Sequence, residues 1–113
     1  MILDLKNPPR IFKVGVDEEI EIKDCGDILL EPNEQISFVN EGGARYDFAC
    51  KEWGYYATPS INHRLRLEGY KTALVRNEQK RLYLMVVYAE KLHLFEEYCS
   101  LEKQEILQWL DEN

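Results

Sequence analysis

The sequence predicts an α+β fold, mainly antiparallel β arranged as a small barrel or sandwich of about eight short strands, with one or two helices at the C-terminal end. Three observations predict it. Apolar and polar residues alternate over several short stretches before residue 88, and Gly, Pro, Asn and Asp punctuate the gaps between them. From Ala89 to Asn113 there is no Gly or Pro, and the apolar residues take three- and four-residue spacing instead. At 113 residues the chain is long enough for one core. It reads as a single domain, 1–113, that is β-rich over 1–88 and helical over 89–113.

The first element is a hairpin. Arg10–Val16 (RIFKVGV) and Glu19–Asp24 (EIEIKD) flank Asp17-Glu18, and Ile20 and Ile22 alternate cleanly with Glu19, Glu21 and Lys23. Pro8-Pro9 makes the segment before it extended, because neither proline nor the residue preceding it favours helix. Asp27–Leu30 (DILL) is a short strand ended by Pro32-Asn33, and Gln35–Val39 (QISFV) is another, ended by the turn residues Asn40 to Gly43.

Arg45–Lys51 (RYDFACK) places Tyr46, Phe48 and Cys50 on one face and Arg45, Asp47, Ala49 and Lys51 on the other. Ile61–Leu67 (INHRLRL) reads the same way, with Ile61, His63, Leu65 and Leu67 opposite Asn62, Arg64 and Arg66. Lys71–Arg76 and Leu82–Tyr88 are two further strands, and the nearly all-apolar second one predicts a central position. In the helical region Leu92, Phe95, Cys99, Ile106 and Leu110 form a stripe that Glu102 interrupts, so a break near Ser100 is expected.

Charge and composition exclude several classes of function. With 14 basic and 21 acidic residues the formal charge is −7, unsuited to a general nucleic-acid binder. No apolar run reaches the roughly 20 residues of a membrane span, and the first ten residues lack the pattern of a secretory leader, so the expected location is cytoplasmic. Cys25, Cys50 and Cys99 are widely spaced and read as reduced thiols. They and the two histidines, His63 and His93, show no metal-ligand spacing, and no phosphate loop or nucleophile elbow occurs. No metal and no cofactor is therefore expected.

The charge is unevenly distributed. Residues 1–44 carry 4 basic and 10 acidic side chains (net −6), residues 45–81 carry 8 and 4 (net +4), and residues 82–113 carry 2 and 7 (net −5). The basic middle flanks Trp53-Gly54-Tyr55-Tyr56-Ala57-Thr58-Pro59-Ser60, a connection rich in large aromatics. These rings either plug one end of a barrel or wall a pocket. As a pocket, Trp53, Tyr55 and Tyr56 with Arg45, Arg64 and Arg66 suit a small anion with a planar or sugar-like body: a nucleotide, nucleotide-sugar or sugar phosphate. His63 is the one candidate acid or base, since imidazole titrates near neutral pH. Its place on an apolar strand face with Ile61 and Leu65 favours a packed core or edge histidine over that role.

Without a catalytic constellation, the chain reads first as a non-enzymatic accessory or protein-interaction domain. The expected surface is the C-terminal helix (Leu92, Phe95, Tyr98, Trp109, Leu110), pairing with a partner protein or a second copy. The alternative is the anion-binding domain just described.

Overall fold

The computed structural model describes all residues, 1–113. Eight strands and two α-helices follow one another: β1 Ile2–Val14, β2 Ile20–Leu29, β3 Gln35–Val39, β4 Arg45–Lys51, β5 Gly54–Ala57, α1 Arg64–Leu67, β6 Tyr70–Arg76, β7 Leu82–Tyr88, α2 Leu92–Leu101 and β8 Glu105–Trp109. The α+β class, the antiparallel strands and the C-terminal helix agree with the sequence. The strands form three small sheets, ordered β1-β2, β3-β4-β5 and β7-β6-β8. No helix is long and apolar enough to cross a membrane.

The chain divides into two compact units, Met1–Ile36 with Phe48–Tyr56, and Ser37–Asp47 with Ala57–Asn113. In the first unit, the expected hairpin is longer at its open end and slightly shorter at its turn, where β1 ends at Val14 and β2 begins at Ile20. β1 pairs with β2 from Val14↔Ile20 to Arg10↔Asp24 and again from Leu5↔Gly26 to Ile2↔Leu29, so the DILL segment continues β2. Between the two ladders Asn7, Pro8 and Pro9 bulge from β1, where the missing proline N–H groups cost no ladder bond. Glu18 donates its N–H to the Gly15 carbonyl (3.1 Å) to close the turn. Gly26 stands where no side chain fits: a Cβ there would lie 2.4 Å from the Asp4 carbonyl oxygen, at φ +154°.

The second unit holds the core. β6 is its central strand, paired with β7 on one side and β8 on the other, and Thr72, Ala73 and Val75 on it are almost wholly buried. The expectation that β7 is central is thus corrected. β7 is an edge strand whose Leu82 and Leu84 remain exposed, and β6, more mixed in composition, is covered on both faces. α2 packs Cys99 into the core and sets Phe95 edge-on against Trp109, ring centroids 5.8 Å apart.

Two further segments depart from expectation. Ile61–Leu67 is not a strand: Ser60 accepts the Arg64 N–H on its hydroxyl (2.9 Å) and the Leu65 N–H on its carbonyl (2.9 Å). That local bonding starts a helix turn where a ladder would otherwise form. Gly69 at φ +94° ends it, and Leu65 is 1% exposed. The region 89–113 is helical only in part. α2 stops at Leu101, Lys103 turns the chain at φ +53°, and Glu105–Trp109 joins β6 as β8. Ile106 and Leu110 fit a helical stripe, but hydrogen bonds to the open edge of β6 hold Ile106 extended in β8, and Leu110 begins a separate 3-10 turn.

Candidate functional site

The residues expected to form an anion site fall into both units. Trp53, Tyr55 and Tyr56 belong to the first, where the loop expected over 53–60 contains strand β5. Trp53 is 72% exposed and stacks on Tyr56 with centroids 5.9 Å apart and planes 27° from parallel. Arg45, Arg64 and Arg66 belong to the second unit. Because α1 is a helix, Arg64 and Arg66 do not share a strand face. Arg66 is exposed, and so is His63, which precedes the helix without capping it.

Arg64 and Arg45 converge on a residue that the alternation had assigned to the polar face. Asp47 is 6% exposed, with the Arg64 guanidinium at 3.0 Å and that of Arg45 at 3.9 Å. Ser37 donates its hydroxyl to the same carboxylate, and Arg64 also donates to the Thr58 hydroxyl at 3.2 Å. Hydrogen bonding from Ser37 and the charge of Arg64 and Arg45 hold the Asp47 carboxyl below its ordinary range despite burial. A bound anion would compete with this internal carboxylate for both arginines. The signal for Asp47 in the sequence was its position two residues from Arg45 inside an otherwise half-apolar strand.

A cleft of about 420 Å³ in the second unit is lined by Tyr88, Glu68 and Glu90 together with the turn residues Asn40 and Gly42, so what it offers is negative charge. No three His, Cys, Asp or Glu side chains are grouped to hold a metal ion. Cys25, Cys50 and Cys99 are free thiols, and burial raises the pKa of Cys99, which keeps it protonated.

The most conspicuous surface lies on the first unit. From Met1 to Tyr46 no residue is buried; the first buried side chain is Asp47. Yet one face of the β1–β2 hairpin is largely apolar. Its register puts Leu3, Leu5, Phe12 and Val14 on one face with Ile20, Ile22 and Ile28, whereas the opposite face mixes Asp4, Lys13, Glu21, Lys23 and Asp27 with the exposed Ile2, Ile11 and Leu29. Leu5 is 67% exposed and Leu3 55%, while Phe12 and Ile20 are only half-buried. At the middle of the apolar face Asp24 binds Lys6 (2.8 Å) and Arg10 (3.3 Å), and the Arg10 guanidinium covers the Phe12 ring at 4.7 Å. The charges there are consumed within the hairpin.

On α2, Leu94 and Leu101 are exposed while Phe95 and Cys99 pack inward. No protein-family model, curated protein or solved structure matches the chain.

Proposed function

We propose that this chain is a non-enzymatic protein-interaction domain whose principal surface is the apolar face of the β1–β2 hairpin. One observation carries the reading: a two-stranded sheet, patterned like the half-buried sheets of globular cores, whose largely apolar face stays exposed. A two-stranded hairpin is marginal by itself and gains stability from a third strand or a packed layer, which a polypeptide partner supplies. Of the helix residues expected to form a contact surface Tyr98 is exposed, while Phe95 packs on Trp109; Leu94 and Leu101 of α2, which were not among them, are further exposed apolar residues. The reduced thiols suit a cytoplasmic setting.

Site-specific photo-crosslinking in cells tests this. A photoreactive amino acid replacing Leu5 or Ile28 gives discrete protein adducts, and one replacing Lys23 on the opposite face gives none. Equal labelling from all three positions, or no adduct from any, refutes the assignment.

A second reading, a site for a small anion with a planar or sugar-like body, is favoured by the exposed Trp53–Tyr56 stack. Arg45 and Arg64 are engaged with Asp47, so the rings carry this reading. Quenching of Trp53 fluorescence by millimolar nucleotide or sugar phosphate, lost in Tyr56→Ala, would support it; unchanged emission counts against it.

A further inference from the structure

We infer that the occupant of the hairpin face is a second copy of this chain, packed face to face about a two-fold axis. The inference rests on the interaction reading above and adds the identity of the partner. Three features support it.

The first is area. Leu3, Leu5, Val14, Ile22 and Ile28, with the half-exposed Phe12, leave roughly 500 Å² of apolar side chain open per chain. Two such faces together bury about 1,000 Å², the lower bound for a specific interface, with no other surface required.

The second is symmetry. A two-fold contact sets residue i against j and j against i, so the face must complement itself. This face has an aliphatic end (Leu3, Leu5, Ile28) and an end that contains Phe12, Val14 and Ile22, with the Lys6–Asp24–Arg10 cluster between them. Antiparallel stacking lays the aliphatic end of one copy on the Phe12 end of the other and brings the two ionic clusters together at the axis.

The third is charge. On the apolar face Lys6 and Arg10 share Asp24, and Lys6 also reaches Asp27 of the opposite face at 3.4 Å, so two cations and two carboxylates balance within each hairpin. Ion pairs balanced within each hairpin meet at the axis with little of the like-charge penalty that the acidic segments of a chain of net charge −7 would incur.

Sedimentation equilibrium and hydrogen exchange on the full-length chain test the inference. The expected mass is twice 13.4 kDa at micromolar concentration, with hairpin amides protected. Leu5→Glu and Ile22→Glu, which each force a carboxylate into the apolar contact, are expected to weaken the dimer at least about 100-fold. Lys23→Glu on the opposite face leaves it unchanged, and far-ultraviolet circular dichroism confirms that each variant keeps its fold. A dimer that survives both apolar-face substitutions overturns the inference and moves the contact elsewhere. A monomer with freely exchanging hairpin amides also overturns it, but leaves the interaction reading intact with a foreign partner. A monomer whose hairpin is fully protected overturns both, because the hairpin then needs nothing to cover it.

Discussion

The main-chain N–H of Thr72 donates to the carboxylate of Asp111 at 2.9 Å, joining the central strand β6 to the last turn of the chain across 39 positions of sequence. The other carboxylate oxygen takes the Lys71 ammonium at 3.0 Å, and that ammonium lies 4.8 Å from the centre of the Trp109 ring. Asp111 is 3% exposed, so its charge is compensated almost entirely by these two neighbours. Asp111→Ala strands the buried Thr72 N–H and leaves the half-buried Lys71 ammonium only the more distant, exposed Glu112 at 3.5 Å. The expected cost is about 2 to 3 kcal/mol, a fall of roughly 10 °C in Tm by calorimetry. A change below 2 °C would show that water replaces the carboxylate without loss.

Thr72 itself offers the opposite experiment. Its hydroxyl is buried and has no hydrogen-bond partner. Valine has nearly the same shape and suits a central strand, so Thr72→Val removes an unpaid desolvation and keeps the packing. Stability is expected to rise by about 1 kcal/mol, read as a higher urea midpoint at unchanged slope. A lower midpoint would mean that the hydroxyl is satisfied in solution.

Acid sensitivity follows from the two buried carboxylates. For Asp47 the hydrogen bond from Ser37 leads and the Arg64 charge assists; for Asp111 burial pushes the pKa upward, but the Thr72 N–H and Lys71 more than reverse it. Both native values lie below the ordinary 3.8, so the unfolded chain binds protons first as pH falls. Their stabilisation is complete above about pH 5 and drains away below about pH 4. The Tm gap between the native chain and Asp111→Asn or Asp47→Asn should accordingly be largest at neutral pH and close towards pH 2. Lys71 behaves inversely: Asp111 raises its pKa above 10.5, so its contribution is intact below that value and lost at higher pH. A Tm gap that stays constant from pH 7 to pH 2 would contradict the assignment.

Gly26 gives a test confined to the hairpin. Any side chain meets the Asp4 carbonyl oxygen and must also accept a positive φ. Gly26→Ala is expected to cost the hairpin about 1 to 3 kcal/mol. Faster hydrogen exchange from Ile2 to Leu29, with β6 amides unaffected, is the signature to look for; uniform protection throughout would show that the backbone shifts without strain.

Much of the fold was legible in alternation. Ile20 and Ile22 against Glu19, Glu21 and Lys23 located β2, and the alternation in RYDFACK located β4. What escaped were segments short enough for both periods to fit. Ile106 and Leu110 lie four apart, yet Glu105–Trp109 also serves as a strand once β6 offers an edge. Ile61–Leu67 alternates perfectly, yet the Ser60 hydroxyl, a local acceptor, diverts it into α1. Apolar content located β7 but not its rank, since rank depends on what covers a strand. At the candidate sites, Trp53 and Tyr56 were singled out by composition alone. Asp47 was hidden because a charged residue on the nominally polar face reads as solvated until Arg64, 17 positions away, is seen beside it.

The path of the chain between its two units has a consequence for the gene. The first unit spans residues 1–56 and the second 37–113, and the two interleave, with 37–47 in the second and 48–56 in the first. No single cut yields two self-sufficient pieces, and neither unit can be exchanged by recombination at one junction as modular domains are. A fragment ending at Tyr46 would contain none of the residues that the intact chain buries. Inheritance and engineering of this protein are therefore matters of the whole chain, with insertions confined to turn tips such as Asp17–Glu18 and Glu78–Lys80.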